Sequence, residues 1–409
     1  MQRQIHEGVS CAPRDLYTRE EWHDPHITFE RIREVSDPAR SEFGILQPVF
    51  ARHAVARPMP ASVAGPSPAD IDVLLSHYAD INSRYASSSP SSLVRIREAV
   101  VWRNMIFLQS GDDLIPLYEN FRIIDRQEKG GDVADKLRSR TNIQELDSGG
   151  AAVIFYGSVG SFNYGHWLVD DFTRYAALER VDRPLLCLFS RLNDAIDRVR
   201  QEGVTLAAGS RACESRFVDP EIPVRVKDLL YVTPCSVHPF LKNPDALAYV
   251  RDLGRRTIAS ATPGRRLFVN RADHWPRRLT NIADLSPILS EHGFVELVTD
   301  GLSLREQIDA FAQAEIVAGI MGASMTSTVF CPPGTPLLYL APSGWNEPFF
   351  WDQAAMCGQP YHVMFGTPDE NDPHSLYQKS FSVDPQHLSS VLRALTAGAP
   401  APRTGLLGA

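Results

Sequence analysis

Between about residue 150 and residue 340 the chain alternates short apolar runs with capped, amphipathic stretches. No other feature restricts its fold as much. Ala152-Val153-Ile154-Phe155-Tyr156, Leu185-Leu186-Cys187-Leu188-Phe189, Leu229-Leu230-Tyr231-Val232, Arg266-Leu267-Phe268-Val269-Asn270, Val295-Glu296-Leu297-Val298, Ile316-Val317-Ala318-Gly319-Ile320 and Leu337-Leu338-Tyr339-Leu340 read as short strands, mostly apolar enough to be buried on both faces. Helix starts stand between them. Asn193 opens a helix to Gln201, Asn243 with Pro244 opens one toward Thr257, and Ser286 with Pro287 opens a short one closed by His292-Gly293. Ser303-Leu304-Arg305-Glu306 is a capping box, in which the serine oxygen and the glutamate carboxylate each satisfy an exposed backbone N–H. The helix that it starts puts Ile308, Phe311 and Ala312 on one face. Strands and helices at this spacing predict an α/β protein with parallel sheets covered on both faces.

Thr262-Pro263-Gly264 breaks the series, so two α/β domains are expected, at 151–262 and 263–409. Residues 1–150 have a different texture. They are rich in Pro, Ser and Ala up to about residue 95, with turn clusters such as Pro58-Met59-Pro60, and predict an irregular region of short strands and loops. Within it, the run Ala99 to Leu108 and the run Leu114 to Leu117 predict a strand pair joined through Gly111-Asp112-Asp113.

Composition narrows the class of function. A chain of 409 residues is long enough for two or three domains, and 44% hydrophobic with 22% charged residues describes a globular protein. The formal net charge of -8 argues against a general nucleic-acid binder. There is no run of 18 apolar residues, so no transmembrane helix is expected, and the residues from Met1 to Glu7 lack the apolar core of a signal peptide. Six cysteines without CxxC spacing suggest neither a zinc site nor a disulfide framework. A reducing, cytoplasmic setting is expected, with membrane contact at most peripheral.

Two places carry chemistry. In Asn163-Tyr164-Gly165-His166-Trp167-Leu168-Val169-Asp170 a histidine and a carboxylate stand four residues apart, so both can serve one helical face. The preceding strand and the turn Gly157-Ser158-Val159-Gly160-Ser161 put that face where open α/β folds bind ligands. Read alone, His166 is as easily a packed core histidine. The second place is the turn Gly322-Ala323-Ser324-Met325-Thr326, whose small residues let a ligand reach backbone N–H groups at a helix start. Arg271, Arg277 and Arg278 follow a strand on the same sheet edge, and guanidinium groups pair well with phosphate oxygens. A tight packing turn and a solvated basic loop are the plainer alternatives for these two segments. Asp170-Asp171 could also be read as a metal-binding acidic pair, and Trp345 with Phe349-Phe350-Trp351 as an aromatic face for a sugar.

These residues together resemble glycosyltransferase family 61. The resemblance rests on Asn163 to Asp170, Arg271, Arg277-Arg278-Leu279-Thr280-Asn281, Leu302-Ser303-Leu304-Arg305-Glu306-Gln307, Gly322-Ala323, and Phe330-Cys331-Pro332-Pro333-Gly334-Thr335, in that order over about residues 150 to 345. It implies a GT-B-like fold, with two Rossmann-like domains facing a cleft. It also implies inverting, metal-independent sugar transfer from a nucleotide sugar, UDP-linked, to a glycan or other hydroxyl acceptor, as in surface or capsular polysaccharide synthesis. No cofactor beyond that co-substrate is implied. Carried over by position, Asp170 is the general base with His166 beside it. Asn163 and Trp167 lie on the acceptor side, and Arg271, Arg277, Arg278, Asn281, Gly322, Ala323, Ser324 and Thr326 hold the donor.

The sequence departs from the family pattern at Met321, where a histidine is usual, at Ile282, where an acid is usual, and at Thr173 in place of a proline. The alternative expectation is therefore a catalytically impaired member that binds carbohydrate or joins a complex.

Overall fold

The computed structural model describes residues 43–65, 67–110, 113–120, 137, 142–258 and 264–397. Its strands, in chain order, are β1 (Phe43–Phe50), β2 (Ser62–Ala64), β3 (Ser91–Trp102), β4 (Met105–Ser110), β5 (Asp113–Pro116), β6 (Gln144–Glu145), β7 (Ala152–Phe155), β8 (Leu185–Ser190), β9 (Cys213–Val218), β10 (Val224–Val232), β11 (Arg265–Asn270), β12 (Phe294–Val298), β13 (Ala314–Ile320), β14 (Leu337–Pro342), β15 (Tyr361–Pro368) and β16 (Phe381–Ser382). They form two sheets. The first runs β5-β4-β3-β10-β7-β8-β9, with β1 against β3 and β6 against β10. The second runs β12-β11-β13-β14-β15-β16, with β2 also on β15.

Strands β7 to β10 are mutually parallel, and β3 meets β1, β4 and β10 antiparallel. In the second sheet every pairing is parallel except β15 with β16. This is the α/β, parallel-sheet architecture that the alternation predicts. One apolar core joins the halves: Ile154, Trp167, Phe172 and Val250 from the first pack in a single cluster with Leu267, Ile308, Phe330 and Tyr339 from the second. Separate clusters fill the outer faces of each sheet.

The leading residues differ from the expectation of an irregular region. From residue 43 they enter both sheets, and Pro68–Arg84 is a 17-residue helix burying Leu74, Tyr78 and Ile81. Ser67 before Pro68, with Asp70 in the first turn, is the start signal that the Pro and Ser richness obscures. The run from Ala99 to Leu108 is not one strand. Arg103 and Asn104, at φ 48° and 65°, turn β3 back on β4, with Trp102 facing Met105. β4 does pair with β5, and Gly111 and Asp112 of the expected connection lie outside the described residues.

Asn193 and Asn243 cap their helices as expected, and Ser303 and Glu306 form the capping box. The helix near Pro287 starts earlier, at Ile282, and keeps Pro287 inside it. Ser286 donates to the Ile282 carbonyl instead of capping, and burial of Leu285 and Leu289 holds the helix across the proline. Of the hinge, Thr262 and Pro263 lie outside the described residues. Among the described residues, no helix is long and apolar enough to cross a membrane.

Candidate functional site

Strand β7 delivers the chain to Asn163, whose side-chain oxygen accepts from the N–H groups of Gly165 (2.9 Å) and His166 (3.4 Å). That cap starts a helical run of three textures: one α-turn at Tyr164–His166, a π-helical turn at Trp167–Asp171, and 3-10 turns over Phe172–Arg180. Single π-turns inside helices often mark functional sites, because the wider turn re-aims the side chains. Here His166 and Asp170 come to the same side, with Nδ1 and Oδ2 3.6 Å apart.

The other Asp170 oxygen accepts from the Ser236 hydroxyl at 2.5 Å. His238, two residues further along the loop after β10, meets the edge of the His166 ring with centroids 4.3 Å apart. Donor atoms of His166, Asp170 and His238 all lie within 4.8 Å of one another. Only 12% of the Asp170 side chain is exposed. Burial by itself would raise its proton affinity, but the neighbouring His166 and His238 rings and the hydrogen bond from Ser236 outweigh that. The carboxyl is held well below the usual carboxylate range.

Asp171 has a separate task. It is buried against Arg174 and Ser161, and Arg174 also donates to the Val232 and Gly157 carbonyls. The two adjacent carboxylates therefore point to different partners, and the acidic-pair reading of Asp170-Asp171 is not supported by the geometry. Trp167 is likewise no acceptor platform. It is 0% exposed, stacks on Phe172, and donates its indole N–H to the Tyr175 hydroxyl.

Across the junction stands the second sheet. Its order puts β12 on one side of β11 and β13 on the other, so the connection reverses between β11 and β13. Open parallel sheets bind ligands at such a reversal, beyond the strand ends. Arg271 follows β11, Gly322 follows β13, and the Arg271 guanidinium lies where a side chain at position 322 would stand. Arg277 reaches the same place. Its Nη1 donates to the Met321 carbonyl at 2.5 Å, and its guanidinium lies 4.3 Å from the centre of the Trp345 ring.

Both guanidinium groups are mostly buried, and neither forms an ion pair among the described residues. Burial lowers the proton affinity of each, and for Arg277 the neighbouring Arg271 charge lowers it further. The Nε atoms of both are buried without a hydrogen-bond partner. Two desolvated, mutually repelling cations with unmet donors suit an anion with several oxygens.

The remaining donor-side residues divide. Ala323 and Ser324 lie at the cleft, where Ser324 accepts from the Thr299 hydroxyl at 2.7 Å. Thr326 is fully buried, with its hydroxyl against Gly165, so it serves the joint between the halves. Arg278 is exposed and contributes its backbone to Phe381 and Ser380. Asn281 is turned away from the cleft: its amide exchanges hydrogen bonds with the backbone of Val383 (2.8 and 3.2 Å) and fastens β16. Of the late aromatics, Trp345 underlies Arg277 and Phe349 faces His166 with centroids 5.8 Å apart. Phe350 and Trp351 are core. Met321 is buried, and Ile282 packs on the outer apolar cluster.

Three participants escape the sequence reading: Ser236, His238 and Glu347. The loop holding Ser236 and His238 follows β10 at the cleft edge, and its position after a parallel strand is the signal that could have found it. Glu347 caps the helix Pro348–Met356 through Phe349 N–H (3.1 Å). Burial raises its proton affinity, which is moderated by Lys242, His166 and Arg277. It thus stands near both His166 and Arg277.

Residues 164–338 match the family Glycosyltransferase 61. Over those residues the chain is similar to that family. No curated protein matches the chain. Among solved structures it is similar to the dodecameric iron-containing heptosyltransferase TibC in complex with ADP-D-β-D-heptose. That match has 10% identity over 64% of this chain and 77% of that one, with a TM-score of 0.25. The matched residues include His166, Asp170, Ser236, His238, Arg271, Arg277 and Gly322, whereas Trp345, Glu347 and Phe349 lie beyond them. Two α/β units meeting at a cleft give the GT-B-like arrangement that the resemblance implies.

Proposed function

We propose that this glycosyltransferase inverts the anomeric centre of a nucleotide-linked sugar, UDP-linked and without a metal ion, in moving the sugar to a hydroxyl of a glycan acceptor. The observation that carries the reading is a pair of unlike groups on the two halves, with Glu347 near enough to feel His166 and Arg277 alike. A buried carboxylate–imidazole pair stands on the first half, and two unpaired guanidinium groups stand on the second. Inversion needs a base on the face of the sugar opposite the leaving group, and positive charge where the diphosphate departs.

In this reading Asp170, fixed by Ser236, supplies the negative charge of the base. Its low proton affinity and small exposure make His166 the group through which the acceptor proton passes. The acceptor oxygen attacks the anomeric carbon, the bond to the diphosphate oxygen breaks, and Arg271 and Arg277 take up the charge that develops there. Gly322 and Ala323 let the diphosphate approach the backbone. A role in surface or capsular polysaccharide synthesis and a cytoplasmic site of action belong to the same reading. The five described cysteines, all free thiols, suit a reducing compartment.

Asp170→Asn is expected to lower transfer by roughly 10²–10⁴-fold with the fold intact by circular dichroism. Undiminished turnover in that variant would remove Asp170 from the chemistry. One observation favours a second reading, since the His166, Asp170 and His238 donor atoms are also close enough to ligate a divalent ion. Transfer that survives EDTA supports the base. Transfer lost in EDTA and regained with added Mn²⁺ or Mg²⁺ supports the metal.

A further inference from the structure

Cys187 on β8 and Cys213 on β9 bring their sulfurs within 3.3 Å of each other, and both are free thiols. The sequence hides this pair, because the two stand 26 residues apart and belong to no CxxC unit. The strands make it. β8 and β9 are parallel, with Leu185 beside Cys213 and Cys187 beside Ser215, so the thiols lie one pleat apart on the same face of the sheet. A disulfide bond is about 2.0 Å long, and the sulfurs are therefore about 1.3 Å from bonding distance. The two thiols are not alike. Cys187 is fully buried in the core cluster with Tyr156, Tyr175 and Phe189, whereas Cys213 is partly exposed on β9, the last strand of the first sheet. Their contact lowers the proton affinity of the Cys213 thiol and, together with burial, raises that of Cys187. A reachable, more acidic thiol against a buried neutral one is the arrangement of an attacking and a resolving cysteine.

We propose that Cys187 and Cys213 form a reversible oxidation site, closed by thiol–disulfide exchange with a low-molecular-weight disulfide such as oxidised glutathione. The Cys213 thiolate attacks one sulfur of that disulfide, so that a mixed disulfide forms and one small thiol leaves. Cys187 then gives up its proton and attacks the Cys213 sulfur, the mixed disulfide breaks, and a second small thiol leaves. The cysteine pair loses two electrons and two protons, and the two departing thiols carry them away. The new bond closes the segment 187–213, which contains the helix Asp194–Ala208. Ala195, Ile196, Arg198 and Val199 of that helix line the cleft cavity beside Arg271. Oxidation therefore fastens one wall of the cleft from outside the reacting groups. The assignment is independent of which donor or acceptor the cleft takes.

The test treats the full chain with oxidised glutathione over a series of glutathione ratios, quenches it with an alkylating reagent in denaturant, and maps the unreduced peptides by mass spectrometry. The expected product is a peptide pair joined through Cys187 and Cys213 and separated again by dithiothreitol. Cys235, Cys331 and Cys357, all buried, should be recovered as alkylated thiols. Cys187→Ser should trap Cys213 as its mixed disulfide with glutathione, and Cys213→Ser should leave Cys187 reduced. The joined pair is read in the unaltered protein, so the outcome does not depend on how either variant folds. Absence of that pair at every ratio, with Cys213 either unmodified or carrying glutathione, overturns the site. Joining that runs as fast in the urea-unfolded chain as in the folded one overturns it too, because the strands would then contribute nothing to the pairing.

Discussion

Arg277 takes a left-handed φ of 61°, stacks on Trp345, and lies beside a second buried arginine. The backbone angle and the like charge are costly for a non-glycine cation, the Trp345 ring offsets part of that, and costs of this kind gather where a ligand will later relieve them. Guanidinium groups keep their proton at any working pH, so the penalty is borne as uncompensated charge. Replacing that charge is therefore expected to help the empty protein and harm its function. Arg277→Met should raise unfolding stability by about 1 kcal/mol and abolish the thermal stabilisation given by pyrophosphate. A variant less stable than the parent, yet still stabilised by pyrophosphate, would assign Arg277 to the scaffold. At this scale the sequence is a good guide to which residue types gather, and a poor one to which way they face. His166 does stand beside Asp170, and Arg271 and Arg277 do stand together beside Gly322. Trp167 and Asn281 have the same spacing credentials but are consumed by the core and by Val383, because a packed indole and a paired amide look no different in sequence from free ones.

Among the elements, the helical run from Tyr164 decides how the two sheets meet. A Cβ on Gly165 would lie 2.7 Å from the Thr326 hydroxyl and 3.4 Å from the Ala323 Cα, so glycine lets this helix touch the Gly-Ala turn directly. The Tyr164 hydroxyl, 2.9 Å from Ser327, adds a polar tie beside it. Gly165→Ala should destabilise the protein by about 1–3 kcal/mol in urea unfolding. Adding Thr326→Ala, which removes the obstructing hydroxyl, should recover part of that loss. No recovery in the double variant would locate the strain elsewhere.

Of the parallel strands from β7 to β14 all but β9 are legible, because they are short, apolar and separated by turns and capped helices, whereas β9 mixes charged with apolar residues and is only partly buried. The β3–β4 turn is not, since Arg103 and Asn104 carry no glycine and sit inside an apolar run. The π-turn at Trp167–Asp171 is also silent in the sequence, because the apolar spacing around it fits an ordinary helix equally well.

In the whole molecule the two sheets do not form two independent bodies. Arg57, between β1 and β2, donates to Asp352 of the helix Pro348–Met356 at 2.5 Å, and Lys242, from the loop after β10, reaches the same carboxylate at 3.2 Å. All three side chains are almost completely buried. Removing the carboxylate strands two cations in the interior, so Asp352→Ala should cost about 3–5 kcal/mol. Because one core runs through both halves, the loss is expected as a single calorimetric transition moved to lower temperature. Two separated transitions would show that the halves unfold on their own. This unity is the part of the fold least visible in the sequence, where the break at Thr262-Pro263-Gly264 suggests separable domains.

Strand β2 lies in the second sheet although it precedes nearly all of the first, and its partner β15 is about 300 residues further along the chain, as the Ser62–His362 contact shows. During synthesis from the N-terminus, this strand leaves the ribosome long before its place in the sheet exists. The first sheet can assemble around it, but the strand itself must wait, unpaired, until the last part of the domain is made. Closure of the second sheet therefore waits for β15, about 300 residues after the strand that it receives.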